Sequence, residues 1–429
     1  MSDLGAGTGL FTDHYELTML SAALADGTAE RRCSFEVFGR RLPESRRFGV
    51  VAGTGRLLSA IADYRFAEAE LTALCAAGVV DDRCAEFLAG YRFTGDLDGY
   101  AEGEPYFPQS PILTVTASFA EAVVLETLVL SILNHDSAVA AAAARMAIAA
   151  GDRPLIEMGS RRTHEAAAVA AARAAYLVGF AATSNLAAGA CFGVPTTGTA
   201  AHAFTLLHDS EQAAFAAQVA QLGVDTTLLV DTYDIRQGIE TAVRVAGREL
   251  GAVRIDSGDL AVIAQQVRDQ LDSLGADRTR IVVSGDLDEF AIAALAAAPV
   301  DAYGVGTSVV VGSGVPTAGL VYKLVEVAGR PVTKRSELKG STGGRKQAYR
   351  RHRASGTATD EFVLRATVTD FEPRPGDRLL TIPLMRKGEP VRPADLEAAR
   401  EHHRQAVVAL PWEALKLSRG EPGLPVTVR

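Results

Sequence analysis

Residues 253–286 read VRIDSGDLAVIAQQVRDQLDSLGADRTRIVVSGD. The strand-like run Val253–Ile255 stops at a polar turn, Asp256-Ser-Gly-Asp259. A second run, Ile281–Val283, stops at Ser284-Gly-Asp286. Short apolar runs bounded by glycine-rich turns are typical of buried strands, and the segment between them is long enough for one crossover helix. The stretch therefore predicts two neighbouring strands of a parallel sheet.

The same alternation of strand and helix patterns continues through the middle of the chain. The intervening segments are helix-like, as at Glu165–Tyr176 and Glu211–Leu222. A closed or nearly closed β/α barrel fits this succession better than an open sheet. The predicted strands are Leu155–Met158, Val178–Ala182, Val194–Thr197, Thr227–Val230, Val253–Ile255, Ile281–Val283 and Ala302–Val305.

The two ends of the chain have a different texture. The N-terminal part mixes short helical patterns with β-like pieces such as Cys33–Phe38, and the C-terminal part is β-rich, as at Phe362–Val368 and Arg378–Pro383. We expect the two ends to fold together as one split domain. The predicted organisation is a mixed α+β N-terminal part (residues 1–110), an α/β barrel-like domain (111–330) and a β-rich C-terminal segment (331–429).

Composition limits the class of protein. The chain has 429 residues, of which 48% are hydrophobic, enough for more than one core. Its 43 Lys and Arg against 52 Asp and Glu give a net charge of −9, which argues against nucleic acid or an anionic membrane as a partner. The four cysteines form no CxxC pair, so we expect reduced thiols in a cytoplasmic protein and no zinc site.

Neither a leader nor a membrane span is expected. The N-terminus lacks the basic start and apolar run of a signal peptide. The longest apolar stretches are interrupted by Glu126, Arg145 or Arg173.

Polar or glycine-rich turns follow every predicted strand. In a barrel the carboxyl ends of the strands share one face, so these turns would converge on a single mouth. The turns are Gly159–His164, Thr183–Asn185, Gly198–His202, Asp231–Tyr233, Asp256–Asp259, Ser284–Asp286 and Gly304–Thr307.

His202 is the strongest single candidate for chemistry. A lone core histidine is usually inert packing. Here the strand-like Val194–Thr197 precedes it, and Asp209 with Gln212 predicts a capping box that opens the next helix. His202 is therefore expected in a strand-to-helix loop, where α/β proteins place functional groups.

Three further motifs each allow two interpretations. Gly304-Val-Gly-Thr307 is either a tight turn or a phosphate cradle built from backbone N–H groups. Asp256 and Asp259 are either a helix cap and a surface acid or a carboxylate pair for a sugar diol or Mg²⁺. Arg161 and Arg162 are either a solvated pair or planar partners for a carboxylate or phosphate.

Taken together, the motifs resemble those of nicotinate phosphoribosyltransferases, in the same order. The resemblance runs from about residue 10 to about residue 350. It is carried by Thr12-Asp-His-Tyr-Glu-Leu-Thr-Met19, Phe38-Gly-Arg-Arg-Leu-Pro43, Glu157-Met-Gly-Ser-Arg-Arg162, Thr183-Ser-Asn185, Gly198-Thr-Ala-Ala-His202, Leu229-Val-Asp-Thr-Tyr-Asp234, Arg254-Ile-Asp-Ser-Gly-Asp-Leu260 and Val321-Tyr-Lys-Leu-Val-Glu326.

The resemblance implies a type II phosphoribosyltransferase fold, which is an irregular α/β barrel with a split second domain, usually paired as a homodimer. Members of this family join nicotinate to C1 of phosphoribosyl pyrophosphate, giving nicotinate mononucleotide and pyrophosphate. They couple the reaction to ATP hydrolysis through a phosphohistidine, and His202 matches its position. An imidazole nitrogen is a competent phosphoryl acceptor.

The resemblance also implies roles for the other quoted residues. The sugar and phosphate contacts would come from Asp256 and Asp259 (ribose hydroxyls or Mg²⁺), Ser284, Gly285, Gly304, Gly306 and Thr307 (5′-phosphate), Thr199 (substrate), and Arg40 and Arg41 (pyrophosphate). Arg161 and Arg162 would bind the nicotinate carboxylate or a phosphate, and Tyr15 would stack on the pyridine ring, from the same or a neighbouring subunit.

The chain departs from the family pattern at three places. Ala203 follows the histidine where relatives commonly have Ser or Glu, and no lysine occurs in Ala138–Arg145. Gly343 replaces a usual proline in a loop that otherwise keeps the family spacing of Lys334, Ser336, Lys339, Gly344, Lys346 and Arg350.

Three alternatives stay open. The first is a phosphoribosyltransferase for nicotinamide, quinolinate or another pyridine acid, although the arginine pair favours an acid. The second is a catalytically silent, nucleotide-binding homologue, against which the intact His202, Asp256 and Asp259 argue. The third is another phosphosugar barrel enzyme, which should show a Schiff-base lysine or a Glu base at a strand end.

Overall fold

The computed structural model describes residues 8–334 and 342–429, so Ser336 and Lys339 lie outside the described residues. The chain forms two compact units. The central unit is Val139–Pro316, and the terminal unit combines the chain up to Ala138 with Thr317–Arg429. These limits differ from the predicted boundaries at 110 and 330, because strands on both sides of the central unit pair within one terminal sheet.

Helices and strands are numbered along the chain. The helices are α1 (His14–Asp26), α2 (Thr54–Asp63), α3 (Glu68–Ala76), α4 (Asp82–Ala89), α5 (Phe119–Val123), α6 (Glu126–Ala150), α7 (Glu165–Leu177), α8 (Leu186–Phe192), α9 (His202–Leu207), α10 (Glu211–Leu222), α11 (Ile235–Ala246), α12 (Leu260–Ser273), α13 (Glu289–Ala294), α14 (Thr307–Val310) and α15 (Leu396–Val408). The strands are β1 (Arg32–Gly39), β2 (Gly49–Val50), β3 (Asp96–Gly99), β4 (Pro105–Tyr106), β5 (Leu113–Ser118), β6 (Leu155–Glu157), β7 (Ala182–Thr183), β8 (Thr227–Leu229), β9 (Ala252–Ile255), β10 (Arg280–Ser284), β11 (Ala302–Val305), β12 (Leu320–Val327), β13 (Arg330–Pro331), β14 (Lys346–His352), β15 (Ala358–Arg365), β16 (Asp377–Leu379), β17 (Ile382–Arg386), β18 (Glu389–Pro390) and β19 (Val426–Val428).

The terminal unit is built on a sheet that draws strands from both ends of the chain. Within the described residues its order is β13-β12-β1-β5-β3-β17-β18. Strand β1 pairs antiparallel with both β5 and β12, and β3 pairs with β17. Its core includes Leu20, Val37, Leu97 and Val115, none of which is exposed to solvent. The predicted split domain of mixed α+β character is confirmed.

The central unit carries the parallel sheet. Six described strands lie side by side in the order β7-β6-β11-β10-β9-β8, and every pairing is parallel. Helices connect the consecutive strands, as the crossover connections of a parallel sheet require. The sheet curls as a half-barrel in which β7 and β8 are the outermost of the six strands, which confirms the predicted α/β, irregular barrel class.

Most predicted elements of the central unit are confirmed, and two predicted strands are wrong. Helix α7 continues to Leu177, and Gly179 (φ +126°) then breaks the chain, so Val178–Ala182 supplies only the start of the two-residue strand β7. Segment Val194–Thr197 makes a single parallel bridge, Thr183 to Thr196, instead of a strand. Apolar runs that end a helix or border a sheet look like strands in sequence alone.

The predicted capping box is also corrected. Helix α10 begins after Ser210, whose hydroxyl accepts a hydrogen bond from the Ala213 N–H. His202 is the first residue of the short helix α9 and follows an extended Ala201. It therefore stands at the end of the predicted loop.

One apolar segment among the described residues, Phe119–Ala150, is long enough to cross a membrane. Of its most apolar window, 67% is buried inside the protein.

Candidate active site at the carboxyl edge of the central sheet

The carboxyl ends of parallel strands meet at one edge of a sheet. Here that edge gathers polar side chains from the ends of β8, β9 and β10 and from the start of α9. We call this group the edge cluster. It consists of Thr199, His202, Asp231, Thr232, Arg254, Asp256 and Ser284.

His202 is held on both sides of its ring. Its Nδ1 lies 3.1 Å from the Thr232 hydroxyl. Its Nε2 lies 3.9 Å from Asp231 Oδ1 and 4.0 Å from Asp256 Oδ2. The side chain keeps 41% of its surface exposed. Two carboxylates thus face one nitrogen of an imidazole that a ligand can still reach.

The carboxylate of Asp231 is buried beside this imidazole. Its side chain is 1% exposed. Oδ2 accepts hydrogen bonds from the Asp256 N–H (2.8 Å) and the Ser257 hydroxyl (2.9 Å), while Oδ1 has no hydrogen-bond partner among the described residues. A buried carboxylate oxygen without a donor is costly, so its place beside His202 is informative.

Arg254 links three turns. Its Nη1 donates to Thr199 Oγ1 (2.8 Å), its Nε to Ser284 Oγ (2.9 Å) and its Nη2 to Asp256 Oδ1 (3.1 Å). Side chains two residues apart in a strand share a face, which places Arg254 and Asp256 together. The rigid guanidinium fixes the relative positions of these turns.

Asp256 is kept ionised by these neighbours. Partial burial acts to raise the pKa of its carboxyl, but the hydrogen bond from Ser284 and the charge of Arg254 together hold that pKa below its usual value. Ser284 donates its hydroxyl proton to Asp256 and accepts from Arg254. Its hydroxyl is therefore engaged within the protein.

Gly285 allows the turns after β9 and β10 to approach closely. Its φ is +115°, and a Cβ there would lie 2.4 Å from the Asp256 carbonyl oxygen. Only glycine fits both conditions without strain.

A second group lies at the ends of β6 and β7. The buried Glu157 carboxylate accepts from the Gly159 N–H and the Thr183 hydroxyl. Burial raises the pKa of Glu157, and these two hydrogen bonds only partly oppose it. The hydrogen bonds tie the Gly159–Arg162 turn to the neighbouring strand end.

The predicted residues Arg161 and Arg162 lie in this turn. Both side chains are exposed, and neither makes an ion pair within the part of the chain that the structure describes. They are open to a ligand anion.

Other predicted site residues have structural contacts of their own. Asp259 begins α12 by accepting from the Val262 N–H at 3.4 Å. At Gly304 a Cβ would meet Met158 Sδ at 2.9 Å, and Gly306 precedes α14, which Thr307 starts. The helix-cap interpretation of Asp259 thus has direct support.

Tyr15, Arg40 and Arg41 belong to the terminal unit. Tyr15 lies on α1 with 47% of its surface exposed, and burial of its hydroxyl end together with the charge of Glu126 raises its pKa. Arg40 is half-buried and Arg41 is exposed, directly after β1.

The sequence analysis placed the turn Asp231–Tyr233 at the mouth but assigned no role to Asp231, Thr232, Arg254 or Glu157. The signal was present for Arg254, a charged residue inside an apolar strand and two positions before Asp256. Nothing local distinguished Asp231 from the other strand-end acids, because its role depends on the fold around it.

A curled parallel sheet with an ionisable cluster at its carboxyl edge defines an enzyme of the α/β-barrel class. Matches to models of known protein families identify the family within this class. The nicotinate phosphoribosyltransferase N-terminal domain matches residues 10–134, and the nicotinate phosphoribosyltransferase family model matches residues 154–363. The chain belongs to the nicotinate phosphoribosyltransferase family.

Individual relatives agree with this assignment. Nicotinate phosphoribosyltransferase pncB1 of Mycobacterium tuberculosis is 62% identical over 425 residues, covering 97% of this chain and 94% of the relative. The Bacillus subtilis nicotinate phosphoribosyltransferase is 38% identical and covers 80% of this chain and 72% of the relative. The crystal structure of human nicotinic acid phosphoribosyltransferase has a TM-score of 0.81 at 26% identity and covers 97% of both chains.

Proposed function

We propose that this enzyme joins nicotinate to C1 of phosphoribosyl pyrophosphate and releases nicotinate mononucleotide and pyrophosphate. Membership in the family supports the reaction. The observation that carries the proposal is the imidazole of His202, exposed at the carboxyl edge with Asp231 and Asp256 facing Nε2 and Thr232 on Nδ1. No packing role requires two carboxylates at one exposed histidine.

The sugar transfer needs both signs of charge. Displacement at C1 passes through an oxocarbenium-like state with a departing pyrophosphate. The ionised Asp256 would stabilise the developing positive charge or hold the ribose hydroxyls. The backbone N–H groups of Ser284–Gly285 and Gly304–Thr307 would hold the 5′-phosphate, because glycines let the backbone approach an anion.

ATP hydrolysis would be coupled through His202. An imidazole nitrogen attacks the terminal phosphorus of ATP, ADP leaves, and water later removes the phosphoryl group. Ala203 offers no hydrogen-bonding side chain beside the imidazole. Orientation of the ring therefore falls to Thr232 and Asp231.

Mg²⁺ would accompany the phosphates of the substrates. The described residues contain no cluster of three or more His, Cys, Asp or Glu that could hold a metal alone. Mg²⁺ in phosphate sites commonly takes one or two carboxylates and completes its shell with phosphate and water oxygens, so Asp256 and Asp259 fit as ligands. It would neutralise charge on the pyrophosphate.

The remaining assignments concern the pyridine, the pyrophosphate and the assembly. Arg161 and Arg162 would bind the nicotinate carboxylate or a phosphate, and Tyr15 would stack on the ring. Arg40 and Arg41 would contact pyrophosphate. We further propose a homodimer working in the cytoplasm on small-molecule substrates.

A substrate panel tests the reaction. Purified protein is incubated with phosphoribosyl pyrophosphate and nicotinate, nicotinamide or quinolinate, with and without ATP, and products are identified by mass. We expect nicotinate mononucleotide, formed in higher yield with ATP. Product from another pyridine alone would assign a different acceptor. Nucleotide binding without any product would indicate a silent homologue.

A further inference from the structure

The orientation of the Asn185 side chain is fixed by a helix cap. Asn185 precedes α8, and its Oδ1 accepts a hydrogen bond from the Ala188 N–H at 2.8 Å. The amide group must therefore turn its NH₂ the other way. That Nδ2 lies 2.9 Å from the hydroxyl oxygen of Ser160, to which it can only donate.

This arrangement leaves the proton of Ser160 without a partner in the protein. A serine hydroxyl has one proton to donate and two lone pairs to accept with. The contact with Asn185 uses a lone pair. Among the described residues no acceptor takes the Ser160 proton. The half-buried hydroxyl thus has a donor to offer at the carboxyl edge.

The surrounding turn is rigid and positively charged. Glu157 holds it through the Gly159 N–H and holds the neighbouring Thr183, whose hydroxyl in turn accepts from the Asn185 N–H at 3.0 Å. Both partners of the Ser160–Asn185 contact are thereby placed by one buried carboxylate. Arg161 and Arg162 follow Ser160 directly and are exposed.

We propose that Ser160 is a substrate-binding residue that donates its hydroxyl proton to an anionic oxygen, with Asn185 as the positioning residue that keeps this proton available. The oxygen belongs to the nicotinate carboxylate or to a phosphate of phosphoribosyl pyrophosphate. The inference rests on the proposed function for the identity of these ligands.

Direct binding tests it without requiring turnover. Calorimetry measures the Kd of nicotinate and of phosphoribosyl pyrophosphate separately for the wild type, Ser160→Ala and Ser160→Thr. Loss of one charge-assisted hydrogen bond should weaken binding of one ligand by about tenfold or more in Ser160→Ala, and Ser160→Thr, which keeps the donor, should recover most of it. Ser273→Ala removes an exposed hydroxyl from the end of α12 and serves as the matched control.

The two ligands distinguish the source of the oxygen. A weaker Kd for nicotinate alone assigns the carboxylate, and one for phosphoribosyl pyrophosphate alone assigns a phosphate. Unchanged affinity for both ligands, or equal weakening of both with a lowered Tm, would overturn the inference. A wild type that binds these ligands but forms no product would contradict the proposed function and still leave the role of Ser160 measurable.

Discussion

At the scale of single residues, the edge cluster differs from a set of strand-end polar groups because each charge has a defined neighbour. Arg254 pairs with Asp256, and Asp231 leaves one oxygen directed at His202. The Thr232 hydroxyl on Nδ1 and the two carboxylates facing Nε2 hold this imidazole in one ring orientation. The cluster therefore combines a phosphoryl-accepting group with the groups that orient it.

Asp231→Asn tests this orientation. A unit charge about 4 Å away is worth about 1 kcal/mol in water and about 4 kcal/mol at the effective dielectric constant near a protein surface. Losing the charge while keeping the shape should lower ATP-dependent kcat/KM by about tenfold or more. Asp277→Asn, an exposed change in the same unit, is the control. Equal rates in both variants would show that Asp231 does not orient His202 for the reaction.

At the scale of elements, the site is made by turns that approach each other closely. The turn after β10 packs against the backbone of the turn after β9 at Gly285. Arg254 then bridges β9 and β10 and the segment before α9. The strands fix the positions of the turns, and side chains from the strand ends and turns form the edge cluster.

Gly285→Ala should damage both stability and substrate binding. The residue has a positive φ, and the new Cβ would clash with the Asp256 carbonyl oxygen, so a cost of about 1 to 3 kcal/mol is expected. Thermal unfolding should show a lower Tm, and the KM for phosphoribosyl pyrophosphate should rise. Gly90→Ala, at φ −89° and with the nearest neighbour of a new Cβ at an ordinary contact distance of 3.8 Å, should leave both values near those of the wild type.

The sequence contains most of this element-level information. Strands β6 and β8–β11 and helices α7 and α10 follow from apolar periodicity, as predicted. Periodicity fails at Val178–Ala182, because apolar residues at the end of α7 look like a strand. His202, Asp231 and Asp256 are placed at the mouth by their positions in turns, whereas the roles of Asp231 and Glu157 follow only from contacts between distant segments.

At the scale of the whole molecule, the terminal unit carries its own buried charges. Arg350 and Arg378 both pair with Glu104, and His402 Nε2 lies 2.8 Å from the same carboxylate. Burial alone would raise the pKa of Glu104, but the charge of Arg350 and the hydrogen bonds with His402 and Arg378 hold it well below its usual range. The neighbouring His403 is buried without an acidic partner in contact and bonds only to the Gly103 carbonyl oxygen at 2.8 Å among the described residues.

His403 makes the stability of the terminal unit depend on pH. Burial lowers its pKa to about 4, so the folded state prefers the neutral ring and the unfolded state binds the proton first. Its contribution is present above the unfolded pKa of about 6.5 and is lost as the pH falls toward 4. Lowering the pH from about 7 to about 5 should reduce the free energy of unfolding by roughly 2 kcal/mol through this group.

Urea titrations at the two pH values measure this effect. Unfolding is monitored by the fluorescence of Trp412, the single tryptophan of the chain, which lies in the terminal unit. His403→Gln should lose that part of the pH dependence. His352→Gln, a less buried change in the same unit, should keep it. A wild type and a His403→Gln variant with the same pH dependence would contradict the assignment.

Phosphoryl labelling tests most directly whether His202 is the reactive group of the edge cluster. Wild-type protein and His202→Ala are incubated with γ-labelled ATP, and acid-labile protein-bound phosphate is measured. We expect label on the wild type, loss of that label when nicotinate and phosphoribosyl pyrophosphate are added, and no label on His202→Ala. Equal labelling of the two proteins, or none on a wild type that hydrolyses ATP during turnover, would contradict it.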